Sequence, residues 1–454
     1  LTIDLDIEVY RKQLRSMQLS EARSFLLQAD GTPLSGRFLA AYLRQKARDR
    51  RWKDFLGILK APPKMTELRC QYFHALLSMG ETAKAFEGAR SLWNVGFSQV
   101  KACDALFRKW INAGQLTDEL IWSRALKSFR SKTSRLIKYV RRYASTDLKP
   151  YLDELSKVYR EPTRVDRNIP IQSRYQTDIL TVGIARLAEL SPRKAQNIFL
   201  RKMSSLDFSP LQIKKMETAI IRHSLFAERS SAPADWIRDR LNAYMDDDLT
   251  SIYLRKCIGE GNWNDYLEAF AWLSEAESSR AVWRFWKARS LDNLGVSGSD
   301  MFWQQLAQER SFHGFLAADH LSLPYAINEK SISNIKKFLE DQVSTIWFKR
   351  TTELLALGRH EEAKAQWRHS LRIIQLANFP LMGEWALERG WPDLATDAAN
   401  AGKDWDRLDL RFPRSNWMEF LRAASANGVS PYELISIARR ESSLYPFAVS
   451  GAGA

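Results

Sequence analysis

Leu77-Ser78-Met79-Gly80-Glu81-Thr82-Ala83-Lys84-Ala85-Phe86-Glu87-Gly88-Ala89 is the stretch that decides the fold. An apolar helix runs into a glycine, which takes the left-handed C-cap position without a Cβ clash. A second helix follows, and its small residues Ala83, Ala85 and Ala89 let the two helices approach closely. The device recurs. Leu355-Ala356-Leu357-Gly358 leads into Glu362, Ala363 and Trp367, and Leu291 to Gly295 leads, after a longer loop, into Phe302 and Trp303.

These are degenerate helical hairpins without a strict period. One hairpin cannot cover its own apolar face, so consecutive hairpins are expected to stack into a curved, superhelical solenoid. The 16 tryptophans and 22 phenylalanines suit the core of such a stack. Glycine and proline make up under a tenth of the chain, a 3.6-residue apolar period recurs almost throughout, and period-2 runs are short and isolated. The fold class is therefore all-α.

At 454 residues the chain exceeds one core, and two or three domains are expected. No apolar run reaches the length of a bilayer span, which excludes a helical membrane protein. Leu1 opens into an acidic and then amphipathic stretch with no signal peptide, as in a processed product or a fragment. Lysine and arginine outnumber aspartate and glutamate, 68 to 53. Such an excess favours polyanions, nucleic acid being the generic case. The densest basic runs are 48–53 and 124–142. In the second, Phe129, Leu136, Val140 and Tyr143 keep an apolar stripe, so the cations are expected on a solvated opposite face. Six scattered histidines show no metal-ligand spacing, and no metal or cofactor is expected. Three cysteines are too few for a disulfide scaffold. Cys70 and Cys103 lie 33 residues apart in helical patterns, and spacing alone leaves a bridge and two buried thiols equally open.

The chemistry lies at the other end, in Ser430-Pro-Tyr-Glu-Leu-Ile-Ser-Ile-Ala-Arg-Arg-Glu-Ser-Ser-Leu-Tyr-Pro-Phe-Ala-Val-Ser-Gly-Ala-Gly-Ala454. Ser430, Pro431 and Glu433 predict a capping box and a helix start. Leu434, Ile437, Ala438 and Glu441 share one face, so a carboxylate ends an apolar stripe. A glutamate held against apolar surface has its charged form disfavoured, which moves it toward a general acid. The bland alternative turns Glu441 to solvent or pairs it with an arginine such as Arg440.

The string resembles the first catalytic motif of the lytic transglycosylases through Ile437, Ala438, Arg439, Glu441, Ser442, Pro446, Ala448, Ser450, Gly453 and Ala454. Stretches from Arg69 to Trp110, from Trp283 to Arg289 and from Ala401 to Pro413 are similar to the helical regions of the large soluble members. The resemblance implies Glu441 as the only catalytic carboxylate and Ser450 in the saccharide groove, with Ser442 supporting the site or touching substrate. It implies a disulfide between Cys70 and Cys103, with Cys257 a free core thiol. It also implies a solenoid curled into a ring, a periplasmic location after removal of a signal peptide, and a monomer. The expected partners are peptidoglycan glycan strands rather than nucleic acid, with cell-wall synthesis or division proteins as further candidates.

The expected domains are a helical-repeat domain over 1–325, a helical linker domain over 331–410, and the start of a lysozyme-like domain over 411–454. Breaks at Leu323–Lys330 and Arg411–Pro413 set these bounds. The family's pattern continues past Ala454 with segments that complete the groove, so this chain is expected to be cut within its active site and inactive alone. A rival reading from another class is a non-catalytic helical-repeat scaffold that binds a protein or a glycan strand.

Overall fold

The computed structural model describes residues 10, 13–167, 174–227, 231–330, 345–375 and 378–453. Every regular element among the described residues is a helix, and none is a strand. The chain is all-α, as the 3.6-residue period predicts. It divides into two compact units, one of Gly80–Ile327 and one joining Leu1–Met79 to Asn328–Ala454.

Within Gly80–Ile327 the helices pack on their near neighbours in sequence. Asp118–Arg130 packs on Ser134–Arg141, Arg174–Ala188 on Pro192–Met203 and Pro210–Phe226, and Asp247–Glu260 on Trp263–Phe270. Ala281–Leu294, Ser299–Ala307 and Phe312–Leu321 then enclose Phe285, Trp303, Leu306 and Ala317. Neighbour-on-neighbour packing is what hairpins with one apolar face each require. Gly295 takes φ +65° at the C-cap of Ala281–Leu294, which lets the next amide reach back to the helix. Gly183 serves closeness instead. A Cβ there would sit 2.4 Å from Val165 and 2.6 Å from Val158, so only glycine admits that approach.

The basic run departs from expectation at two points, Arg124 and Tyr143, the last stripe residue, which is 40% exposed. Phe129, Leu136 and Val140 are buried as the stripe predicts. Arg124, expected on the solvated face, is 2% exposed, with its guanidinium 4.0 Å from the Trp93 ring and donating to the Phe97 carbonyl at 3.2 Å. Burial pushes its pKa down to about 10. The indole face replaces part of the lost hydration. Cys70 and Cys103 are disulfide-bonded, and Cys257 is a free buried thiol whose pKa burial raises to about 12.

In the other unit, Leu19–Gln28, Pro33–Arg48, Trp52–Gly57 and Thr66–Ser78 join a second group running from Ile346–Ala356 to Pro431–Ser442. Gln366 ties the two groups by donating from Nε2 to the Gly31 carbonyl at 2.9 Å. The core of the second group holds Trp347, Trp367, Trp385, Met382 and Leu410. Trp367 and Trp385 stack at 5.7 Å, and the Trp367 indole donates to the Leu394 carbonyl at 3.0 Å. Gly358, the second turn glycine, takes φ +70° after Ile346–Ala356. Pro392–Gly402 starts with proline at its first position, where its missing amide hydrogen costs nothing. Residues 323–330 carry no regular structure, while the expected boundary at 331 lies outside the described residues.

Candidate active site

Two short helices carry the motif. Trp417–Asn427 ends at Gly428, which takes φ +64°, and the chain turns into Pro431–Ser442 with Ser430 as N-cap and proline at the first position. The helix start is the predicted one, but the capping box is not formed, since the Ser430 side chain makes no cap hydrogen bond. The motif helix packs on Trp417–Asn427, and the Trp417 and Tyr432 rings meet at 5.1 Å.

The apolar stripe is not buried either. No residue of Pro431–Ser442 is fully buried, and Ile437 is 59% exposed. Glu441 is exposed and has no hydrogen-bond or ion-pair partner among the described residues. The expectation of an acid held against apolar surface is thus corrected: among the described residues the motif helix is only partly covered, and Glu441 is on its exposed part.

Arg439 holds the covered part. Its Nε donates to the Arg411 carbonyl, and its guanidinium lies 4.2 Å from the Phe412 ring centre. Burial and the nearby Arg411 lower its pKa. Phe412 follows a clamp in which the buried Arg407 forks onto Asp409, at 3.0 and 2.7 Å, and reaches Glu384 at 2.8 Å. This clamp lies in the Ala401–Pro413 stretch. A cavity of about 670 Å³ sits beside Tyr432, Ile435, Ser436 and Arg439, lined also by Phe412 and Trp417. Glu441 does not line it, because two residues along a helix rotate a side chain by about 200°.

After Ser442 the chain reverses through two left-handed residues, Ser443 at φ +55° and Leu444 at φ +64°. The reversal drives Leu444 and Tyr445 into the protein, each 8% exposed. The Tyr445 ring receives the Lys364 ammonium at 3.9 Å, and burial, followed by the Glu361 carboxylate, raises its phenol pKa. Lys364 also pairs with the buried Asp393 at 2.7 Å. Two residues on, Phe447 stacks on His360 at 4.2 Å and 10°. Helix His360–Ser370 therefore seats the segment that follows Glu441.

The Ser442 hydroxyl donates to the Ala438 carbonyl at 3.2 Å, a bond within its own helix. Ser450 is exposed in a terminal turn, where its Oγ accepts from the Ala452 amide at 3.2 Å. Ala454 lies outside the described residues. Sequence reasoning missed Tyr445, Phe447, Lys364 and His360. The aromatics flanking Pro446 were the available signal, but nothing local indicates the distant helix on which they land.

Residues 346–408 match the family model described as the soluble lytic murein transglycosylase L domain. Over 421 residues, 91% of this chain, the sequence is 23% identical to the soluble lytic murein transglycosylase of Salmonella typhimurium. It is 28% identical over 287 residues, 61% of the chain and 46% of the relative, to a putative soluble lytic murein transglycosylase of Haemophilus influenzae. The crystal structure of an inactive glutamate-to-glutamine mutant of the Pseudomonas aeruginosa lytic transglycosylase Slt superimposes with a TM-score of 0.83 at 26% identity, covering 98% of this chain and 72% of that one. This chain is similar to the soluble lytic murein transglycosylases over most of its length. The 70-kDa soluble lytic transglycosylase of Escherichia coli shares the fold, with a TM-score of 0.86 at 22% identity over 100% of this chain and 73% of that one. The chain spans 64% of the length of the Salmonella and Escherichia coli relatives it matches. Among the described residues no helix is long and apolar enough to cross a membrane.

Proposed function

We propose that this protein cleaves the β-1,4 bond between N-acetylmuramic acid and N-acetylglucosamine in peptidoglycan, with Glu441 as its single catalytic carboxylate. The observation that carries the reading is the seating of the motif. Arg439 on one side and Tyr445 and Phe447 on the other are anchored to a rigid core, and the last helical turn between them presents Glu441 to solvent. A polymeric substrate needs an acid that is reachable yet fixed in direction.

Glu441 protonates the glycosidic oxygen as the bond to the muramic acid C1 breaks. The 2-acetamido group of that sugar stabilises the developing cation. The ionised Glu441 then takes the proton of the sugar's own 6-hydroxyl, whose oxygen bonds to C1. The product is a 1,6-anhydro sugar, no water is consumed, and Glu441 ends protonated as it began. The acid, base and nucleophile all come from Glu441 and the substrate, so the mechanism draws on no cofactor. Ser450, on the exposed turn beyond Pro446, is assigned to saccharide contact, and Ser442 to holding the helix end beneath Glu441. The Cys70–Cys103 disulfide supports a periplasmic location, because such bonds persist in oxidising compartments. That a glutamate-to-glutamine mutant of the Pseudomonas relative is inactive supports an essential glutamate.

The test is digestion of purified peptidoglycan by the full-length gene product and its Glu441→Gln variant, with mass spectrometry of the released fragments. Wild type should release 1,6-anhydro-muropeptides, and the variant should lose at least about 10²–10⁴-fold, the usual contribution of a general acid–base group. Products with free reducing ends only would overturn the mechanism, and an active glutamine variant would overturn the assignment of Glu441.

A further inference from the structure

The Gly80–Ile327 unit contains a cavity of about 580 Å³ that none of the preceding chemistry uses. Four helices build it: the end of Asp118–Arg130, the second half of Arg174–Ala188, one face of Pro210–Phe226 and the start of Asp247–Glu260 at Leu249. Its floor is apolar, with Phe129, Val182, Ala185 and Ala219, and its rim carries Arg130, Lys132, Arg186, Lys214, Lys215 and Arg222. Arg130 and Lys132 belong to the basic run that the sequence suggested was only a solvated face. Folding gathers them with cations from two other helices.

Only two acids line the cavity, and both are engaged. Glu189 takes Lys132 at 3.0 Å and Arg186 at 4.0 Å, while Asp246 caps the next helix by accepting from the Leu249 amide at 3.1 Å. Arg222 pairs with Asp248 at 2.5 Å, outside the lining. Arg130, Lys214 and Lys215 have no carboxylate partner among the described residues, and Lys214 lies 5.0 Å from the Tyr244 ring centre. Unpaired cations converging over an apolar floor suit an anion with small alkyl groups, and the volume is that of a small-ligand site. Inorganic phosphate would use the rim and waste the floor. A nucleic acid strand would need an extended track rather than a single compact cavity.

We propose that this cavity binds a short acidic peptide through its carboxylates, and that the occupant is the peptide stem of peptidoglycan. Naming the occupant rests on the peptidoglycan reading above. The existence of an acidic-peptide site rests on the cavity alone. Such a site lets the helical repeats hold one part of a peptidoglycan strand while Glu441 acts on another.

Calorimetric titration of the protein with a free stem peptide tests this, alongside the same peptide with every carboxyl amidated, inorganic phosphate and a short single-stranded DNA. The acid form should bind, weaken as salt is raised, and exceed the amidated form by at least tenfold. The Lys214→Gln/Lys215→Gln variant should bind it at least tenfold more weakly, and Ala219→Trp, which fills the floor, should abolish binding while melting near wild type. Equal binding of acid and amide, phosphate or DNA binding as tight as the peptide, or unaltered binding in both variants would each overturn the proposal. Glu441→Gln should leave stem-peptide affinity unchanged. If wild type binds the peptide yet releases no anhydro product, the catalytic reading fails alone. If product is released and the peptide does not bind, this inference fails alone.

Discussion

The tryptophan-lined core of the 346–408 segment and the motif helix Pro431–Ser442 lie in the same compact unit and look alike in sequence. Both carry apolar residues at helical spacing. In the first, Trp367 is 0% exposed and Trp385 1%; in the second, Ile437 is 59% exposed. The same 3.6-residue pattern thus describes a core helix in one place and an open helix in the other. Periodicity reports which residues share a face, and it is silent on whether anything covers that face. An uncovered apolar face beside a carboxylate is available for contact, and under the proposed function the substrate would use it.

Four measurements break or sharpen that contrast. The largest effect is the loss of activity in Glu441→Gln, and it should come with almost no change in stability, within about 0.5 kcal/mol, because the side chain is exposed. A marked drop in melting temperature would mean that the motif helix is a packing element after all.

Next is a paired truncation. Trp367→Ala should cost about 3–5 kcal/mol through cavity formation and an orphaned Leu394 carbonyl. Ile437→Ala should stay within about 0.5 kcal/mol in chemical denaturation. Similar costs for the two would erase the contrast between the regions.

A third substitution addresses the join between them. Lys364→Met leaves Asp393 buried without its partner and removes the ammonium over Tyr445. It should cost about 3 kcal/mol. It should also speed amide exchange at Leu444–Phe447 more than in Pro210–Phe226. Uniform exchange across both would show that Lys364 does not seat the motif.

The smallest effect is on pH dependence. Burial, the leading cause in each case, lowers the pKa of His223, His313 and His369. The unfolded chain therefore binds protons more readily than the native one. Stability should be intact above the ordinary histidine pKa of about 6.5 and fall as the pH drops through and below it. Segments 411–454 contain no histidine, so the acid loosening should appear by hydrogen exchange in Pro210–Phe226, Phe312–Leu321 and His360–Ser370 and spare the motif helix. Loosening that begins in Pro431–Ser442 would contradict this.

Local signals in the chain determined the all-α class, the glycine turns at Gly295 and Gly358, the proline-led starts of Pro392–Gly402 and Pro431–Ser442, and Glu441 as the residue to test. Each of these depends on backbone conformation or fixed spacing over a few residues, which a linear sequence states directly. Tertiary structure alone decided that Arg124 lies under Trp93, that Tyr445 and Phe447 land on His360–Ser370, that the stripe beside Glu441 stays open, and that Arg130 meets Lys214 and Lys215 around one cavity. Those outcomes are set by which distant helix arrives opposite a given face. Burial and the company of charges are properties of that pairing, and residues 80 or more apart, such as Arg130 and Lys214 or Lys364 and Tyr445, leave no trace of it in their local order.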